Sequence, residues 1–248
     1  MDKTVVKTFG LLERLIGTGR AMGVTELAVA SGLQKSNVHR ILTTLMGLGY
    51  VRCGEHRLYE PTLRLWEVGQ QIYSRLGIAS TARPHLRRMV EATGESGHLA
   101  VFDQQEIVYI DRVETPNPVR AYTVVGARAP AYCTASGKAL LAHQPPAVAR
   151  EVAKSLTRHT PMTIKSADRL QRELASIRER GFAVNLGEFR PNVAGLAAPI
   201  FAAGGEVLAA LGISGPLERM RPRTIKSLAP LVVAAAKDVS QAMGAATA

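Results

Sequence analysis

Residues 25–60 read TELAVASGLQKSNVHRILTTLMGLGYVRCGEHRLYE, and this stretch decides the fold of the N-terminal part of the chain. Thr25 is placed to cap a helix opening at Glu26, whose carboxylate suits the positive end of the helix dipole. Leu27, Ala28 and Ala30 give that helix a small apolar face, and Ser31-Gly32 stops it, since Gly32 can turn left-handed. A second helix is expected from Gln34 to Met46, with Val38, Ile41, Leu42 and Leu45 on one stripe. At about 100° per residue, Ser36, Arg40 and Thr43 point away from that stripe. Asn37, His39 and Thr44 flank them, and Lys35 sits in the first turn. This outward face carries no acid and is rich in groups that bond phosphates or base edges. Residues 50–52 and 57–59 are expected as strands around Cys53-Gly54-Glu55-His56, a wing with Arg57 near its tip. Two short helices, a tight turn and a hairpin make a winged helix-turn-helix, which sets one helix in the DNA major groove.

Working outward, residues 5–17 are expected to complete that unit with Val5, Phe9, Leu12 and Ile16 facing its core. Pro61 suits the first turn of a helix over 61–76, which carries Leu65, Trp66 and Ile72 and reads as a linker. From Ile78 the pattern changes. Helices are expected at 80–93, 134–142, 147–156 and 167–180, and from Pro222 onward. Strands are expected at 97–103, 106–113, 119–125, 194–201 and 206–214. Irregular alternation with short hairpins indicates an α+β domain on an antiparallel sheet. The layout is therefore 1–60 winged helix-turn-helix, 61–76 linker helix and 77–248 second domain.

Composition narrows the function class. With 46% hydrophobic and 21% charged residues the chain has the make-up of a globular protein. No run of about 18 apolar residues suggests a membrane span, and MDKTVVKTFG lacks a signal-peptide core. Cys53 and Cys133 read as reduced thiols of a cytoplasmic protein. The net charge of +11 fits a polyanionic partner, but its distribution tempers that reading. Residues 1–60 hold 8 basic and 5 acidic side chains, whereas 131–248 hold 15 and 8, so most of the excess lies outside the helix-turn-helix.

TELAVASGLQKSNVHRILTTLMGLGYV resembles the DNA-binding segment of IclR-type bacterial transcriptional regulators, and the resemblance continues through nearly all 248 residues. It implies a GAF-like second domain for effector binding and oligomerisation, a homodimer or homotetramer, a double-stranded, pseudo-palindromic DNA operator, and no cofactor or metal.

Three segments bear on the effector. In Gly126–Lys138, Thr134 is placed to cap a helix whose N–H groups at Ala135, Ser136 and Gly137 would accept an anion, while Lys138 reads as a helix-surface lysine. Arg128 and Tyr132 belong to the same motif. In Arg180–Glu188 the family pattern has Asp where this chain has Asn185, a change that removes a negative charge; Glu188 is open to a pocket role or a structural one. Residues 193–200 and 211–216 resemble the family's paired C-terminal strands, whose matching positions here are Val193, Gly195, Gly212 and Ser214. The family commonly has Cys where Gly195 stands, which implies a larger cavity and an effector bulkier than glyoxylate or pyruvate. PAYCT at Pro130–Thr134 is similar to the subset sensing aromatic acids such as protocatechuate or 4-hydroxybenzoate, and His98, Tyr122 and Tyr132 are available to a ring.

Two other classes stand beside this reading. One is a thiol hydrolase using Cys133, its pKa lowered by the helix start, with His98 or His143 as base. The sequence has no Gly-x-Ser-x-Gly, phosphate loop, dinucleotide fingerprint or metal-spaced His/Cys set to accompany it. The other is a DNA-binding protein without a ligand.

Overall fold

The computed structural model describes residues 1–245, apart from the side chains of residues 75 and 76. The last three residues of the expected 77–248 domain lie outside that description. The chain divides into two compact units, Met1–Leu76 and a second from Gly77 onward.

The first unit contains α1 (Lys3–Gly17), α2 (Val24–Ser31), α3 (Lys35–Gly47), β1 (Val51–Cys53), β2 (Tyr59–Pro61) and α4 (Arg64–Leu76). Asp2 caps α1, its Oδ1 accepting from the Thr4 N–H at 2.7 Å. The core gathers Leu11, Leu12 and Leu15 of α1 with Leu27, Val38, Ile41, Leu42, Leu45, Val51 and Tyr59. Of the four α1 residues expected there, only Leu12 is buried; Val5, Phe9 and Ile16 are exposed. The helix is apolar on two adjoining faces, and the Leu11/Leu15 face is the one that meets the core.

Other boundaries move for local reasons. Thr25 is not a cap: α2 opens at Val24 after the extended Gly23. Gly32 does take the left-handed turn, at φ 65°. The wing turn is longer than expected, so its strands sit later. It is a single 3-10 turn, Glu55–Arg57, in which His56 and Arg57 hold φ of 56° and 57°. Pro61 ends β2 instead of opening a helix, and Thr62 Oγ1 accepts from the Arg64 N–H at the start of α4.

The second unit contains α5 (Ile78–Thr93), β3 (Ser96–Asp103), β4 (Glu106–Val113), β5 (Arg128–Pro130), α6 (Ala135–Leu141), α7 (Pro146–Val152), α8 (Ala167–Arg180), β6 (Ala183–Leu186), β7 (Val193–Phe201), β8 (Val207–Pro216) and α9 (Pro222–Ala242). The strands form one antiparallel sheet in the order β5-β4-β3-β8-β7-β6. Residues 119–125 alternate but join no strand ladder among the described residues; the strand that joins β4 is the later Arg128–Pro130. β6 was not expected.

Strand alternation assigns the two faces. Gly97, Ile213 and Leu196 lie side by side across β3, β8 and β7, and a Cβ on Gly97 would strike Leu86 and Val90 of α5. Their neighbours Ser96, Ser214 and Gly195 face the other way, where Gly195 meets Ala135 of α6. The sheet is thus covered on both faces, which is why β7 and β8 read as nearly continuous apolar runs.

Candidate functional site

The first candidate is the outward face of α3. Val38, Ile41, Leu42 and Leu45 anchor the helix, leaving Lys35, Ser36, His39, Arg40, Thr43 and Thr44 exposed and Asn37 half-buried. Three acids of this unit are engaged elsewhere: Glu26 with Arg20, Glu60 with Arg52, Glu67 with Arg64. Among the described residues, Lys35, Arg40 and Arg57 have no carboxylate partner. Thr43 Oγ1 donates to the His39 carbonyl at 2.9 Å and Thr44 Oγ1 to that of Arg40 at 3.0 Å. Both hydroxyls therefore present lone pairs outward, suited to base-edge N–H donors.

The second candidate is a cavity of about 120 Å³ on the α6 face of the sheet. Seven of the nine positions expected to bind an effector line it: Arg128, Ala135, Ser136, Asn185, Val193, Gly195 and Ser214. Tyr132 does not; its hydroxyl donates to the Thr157 carbonyl at 2.7 Å and faces His159. Gly212 does not either. A Cβ there would lie 2.9 Å from His98 Nε2, so the glycine makes room for that imidazole. His98 lines the cavity, with Nε2 2.8 Å from Ser136 Oγ and its ring edge-on to Tyr109. Burial pushes its pKa down to about 4, so the ring is neutral. Tyr109, Phe189 and Arg190 also line the cavity and were not picked out in the sequence. Alternation along β4 from Ile107 offered Tyr109; Phe189 and Arg190 directly follow the Glu188 that was singled out.

Among the described residues, no Asp or Glu lines the wall. Asn185 Oδ1 accepts from the Glu188 N–H at 2.7 Å, fixing the turn after β6. His98 Nδ1 and Ser214 Oγ are buried without a hydrogen-bond partner. Such atoms cost free energy unless something satisfies them.

Several expectations need correction. Gly195 does not simply open space: a Cβ there would stand 3.3 Å from the Ala135 methyl, so the glycine also admits α6. The Gly137 N–H is not free, since Thr134 Oγ1 accepts from it at 3.2 Å. Lys138 is not a surface lysine; it is 1% exposed and pairs with Glu188, which does not line the cavity. Cys133 is fully buried, and burial, with Glu188 adding to it, pushes its thiol up to about 12. That is the reverse of the lowered pKa a nucleophile needs. His98 bonds Ser136 instead, and His143 lies edge-on to Phe201, so neither is Cys133's base.

A winged helix-turn-helix with an unpaired basic face, carried with a unit enclosing a small acid-free cavity, defines a ligand-responsive transcriptional regulator. Known proteins agree. Residues 4–53 match the family profile of the IclR helix-turn-helix domain, and residues 70–241 that of the bacterial transcriptional regulator IclR C-terminal domain. The chain is 33% identical to the HTH-type transcriptional regulator KdgR of Escherichia coli, over 97% of this chain and 92% of that protein. The Thermotoga maritima IclR crystal structure superposes with a TM-score of 0.82 at 31% identity, covering 97% of this chain and 98% of that one. An IclR homolog from Microbacterium hydrocarbonoxydans, complexed with 4-hydroxybenzoate, gives 0.80 at 26% identity, covering 95% and 98%. The chain belongs to the IclR family of DNA-binding transcriptional regulators, which are not enzymes. Among the described residues, no helix is long and apolar enough to cross a membrane.

Proposed function

We propose that this regulator acts in the cytoplasm, at the nucleoid when DNA-bound, and reads a pseudo-palindromic operator as a dimer or a dimer of dimers. In this reading Ser36, Arg40 and Thr43 contact base edges with Thr44 flanking them, while Lys35, Asn37, His39 and Arg57 make phosphate or wing contacts. The exposed Val5, Phe9 and Ile16 of α1, with Leu63, Trp66 and Ile72 at α4, support self-association.

The effector we propose is a small aromatic carboxylate. The observation carrying this is a cavity wall that, among the described residues, contains arginine and unpartnered polar atoms and no carboxylate. Its volume of about 120 Å³ limits the ligand to a small molecule. The 4-hydroxybenzoate-bound relative adds to it. Bound effector shifts the balance between DNA-competent and incompetent states by its differential affinity for them.

The test is a thermal-shift screen of the full chain against about a hundred organic acids, because ligands of the folded state raise Tm by mass action. Aromatic carboxylates are expected as hits, and the same compounds should change operator binding in a gel shift. Hits confined to two- and three-carbon keto acids would overturn the aromatic assignment.

A further inference from the structure

Two arginines line the cavity, and their surroundings differ. Arg128 Nη2 lies 2.7 Å from Asp103 Oδ2, and its Nε lies 2.7 Å from Glu106 Oε2. Its positive charge faces two carboxylates of β3 and β4 and is cancelled before any ligand arrives. Arg190 touches no carboxylate among the described residues. Its Nη1 reaches the Tyr122 carbonyl at 3.5 Å, a marginal bond, and its guanidinium lies 5.8 Å from the Phe189 ring.

We infer that Arg190 is the charge anchor for the effector's carboxylate, and that Arg128, the arginine the sequence motif favours, is a fixed part of the wall. The inference rests on the carboxylate reading above and names the residue that confers it. A free guanidinium presents a planar fork that pairs bidentately with a carboxylate. Among the described residues lining the wall, His98 is neutral and no Asp or Glu repels an anion. The ring or chain of the ligand then extends toward His98 Nδ1 and Ser214 Oγ, which lack partners.

The test compares an acid with its neutral amide, which separates charge recognition from shape. Calorimetric titrations of the full chain use 4-hydroxybenzoate against 4-hydroxybenzamide, and pyruvate against pyruvamide. Wild type is expected to prefer the acid by about tenfold or more, the scale of one charge-assisted hydrogen bond. Arg190→Gln should bring acid and amide level, and Arg190→Lys should restore part of the preference. Arg190 is exposed, so these substitutions remove no buried contact, and a melting curve of each checks that it folds. Arg128→Gln should keep the preference. If Arg190→Gln keeps it and Arg128→Gln loses it, the assignment is overturned. If wild type binds acid and amide equally, the cavity recognises shape alone; the anchor falls while an aromatic ligand stands. If wild type binds none of the four, the carboxylate reading fails and the anchor with it.

Discussion

Lys138 Nζ lies 2.5 Å from Glu188 Oε1, and both side chains are buried. The pair ties α6, which supplies Ala135 and Ser136 to the cavity, to the turn that leads into Phe189 and Arg190. Burial pushes the Glu188 carboxyl up while Lys138 pulls it down. Removing one partner strands a charge in a dry site. Lys138→Met should cost about 3–5 kcal/mol in urea denaturation, and the double variant Lys138→Met/Glu188→Leu should recover much of that loss. A single variant as stable as wild type would show that the pair is solvated in solution.

His98 makes stability depend on pH. Its folded pKa is lowered from 6.5 to about 4 by burial. Between those values the unfolded chain takes up a proton that the folded chain refuses. The stability linked to this group is whole above 6.5 and is lost as pH falls toward 4. At most about 3 kcal/mol is involved. His98→Gln, which can still bond Ser136, should flatten the fall in Tm on acidification; an unchanged fall would assign it to other groups.

Gly137 and Gly10 should respond to alanine in opposite directions. A Cβ on Gly137 would stand 2.4 Å from the Ala131 carbonyl, whereas one on Gly10 meets nothing within 4 Å. Gly137→Ala should destabilise by about 1–3 kcal/mol or more, with α6 displaced. Gly10→Ala, in the exposed middle of α1, should stabilise by about 0.5–1 kcal/mol. Melting temperatures of the two variants decide it.

On α3, Arg40→Ala should weaken binding to an operator selected from random DNA by about 1–3 kcal/mol and relax preference at one base. Lys35→Ala should weaken all sequences alike and lower the salt slope by about 1. Wild-type affinity and sequence preference for Arg40→Ala in gel-shift titrations would mean that another face reads the bases.

What the sequence displays depends on whether the deciding contact is local. Helix α8 was legible to the residue because Ser166 caps it, Leu170, Leu174 and Ile177 share a face, and Gly181 stops it in the left-handed region. The α3 face was legible for the same reason. Periodicity in α1 pointed to the stripe of Val5, Phe9, Leu12 and Ile16, but the core covers the adjoining Leu11/Leu15 face, a choice that only the packing makes. Residues 119–125 alternate like a strand, yet a strand also needs a neighbour. Lys138 looked like a surface residue because its partner lies 50 positions away. Arg128 and Arg190 are alike as letters; only the fold brings Asp103 and Glu106 to one of them.

The sheet's edges have a consequence beyond the cavity. Its outermost strands, β5 and β6, are three and four residues long, while the inner β7 and β8 run nine and ten. Unpaired strand edges are templates on which further chains grow into fibrils, and short ones give little purchase. Pro130, which cannot donate to a ladder, blunts β5 further. The apolar strands of this domain are thus kept inside a sheet that resists aggregation from either side.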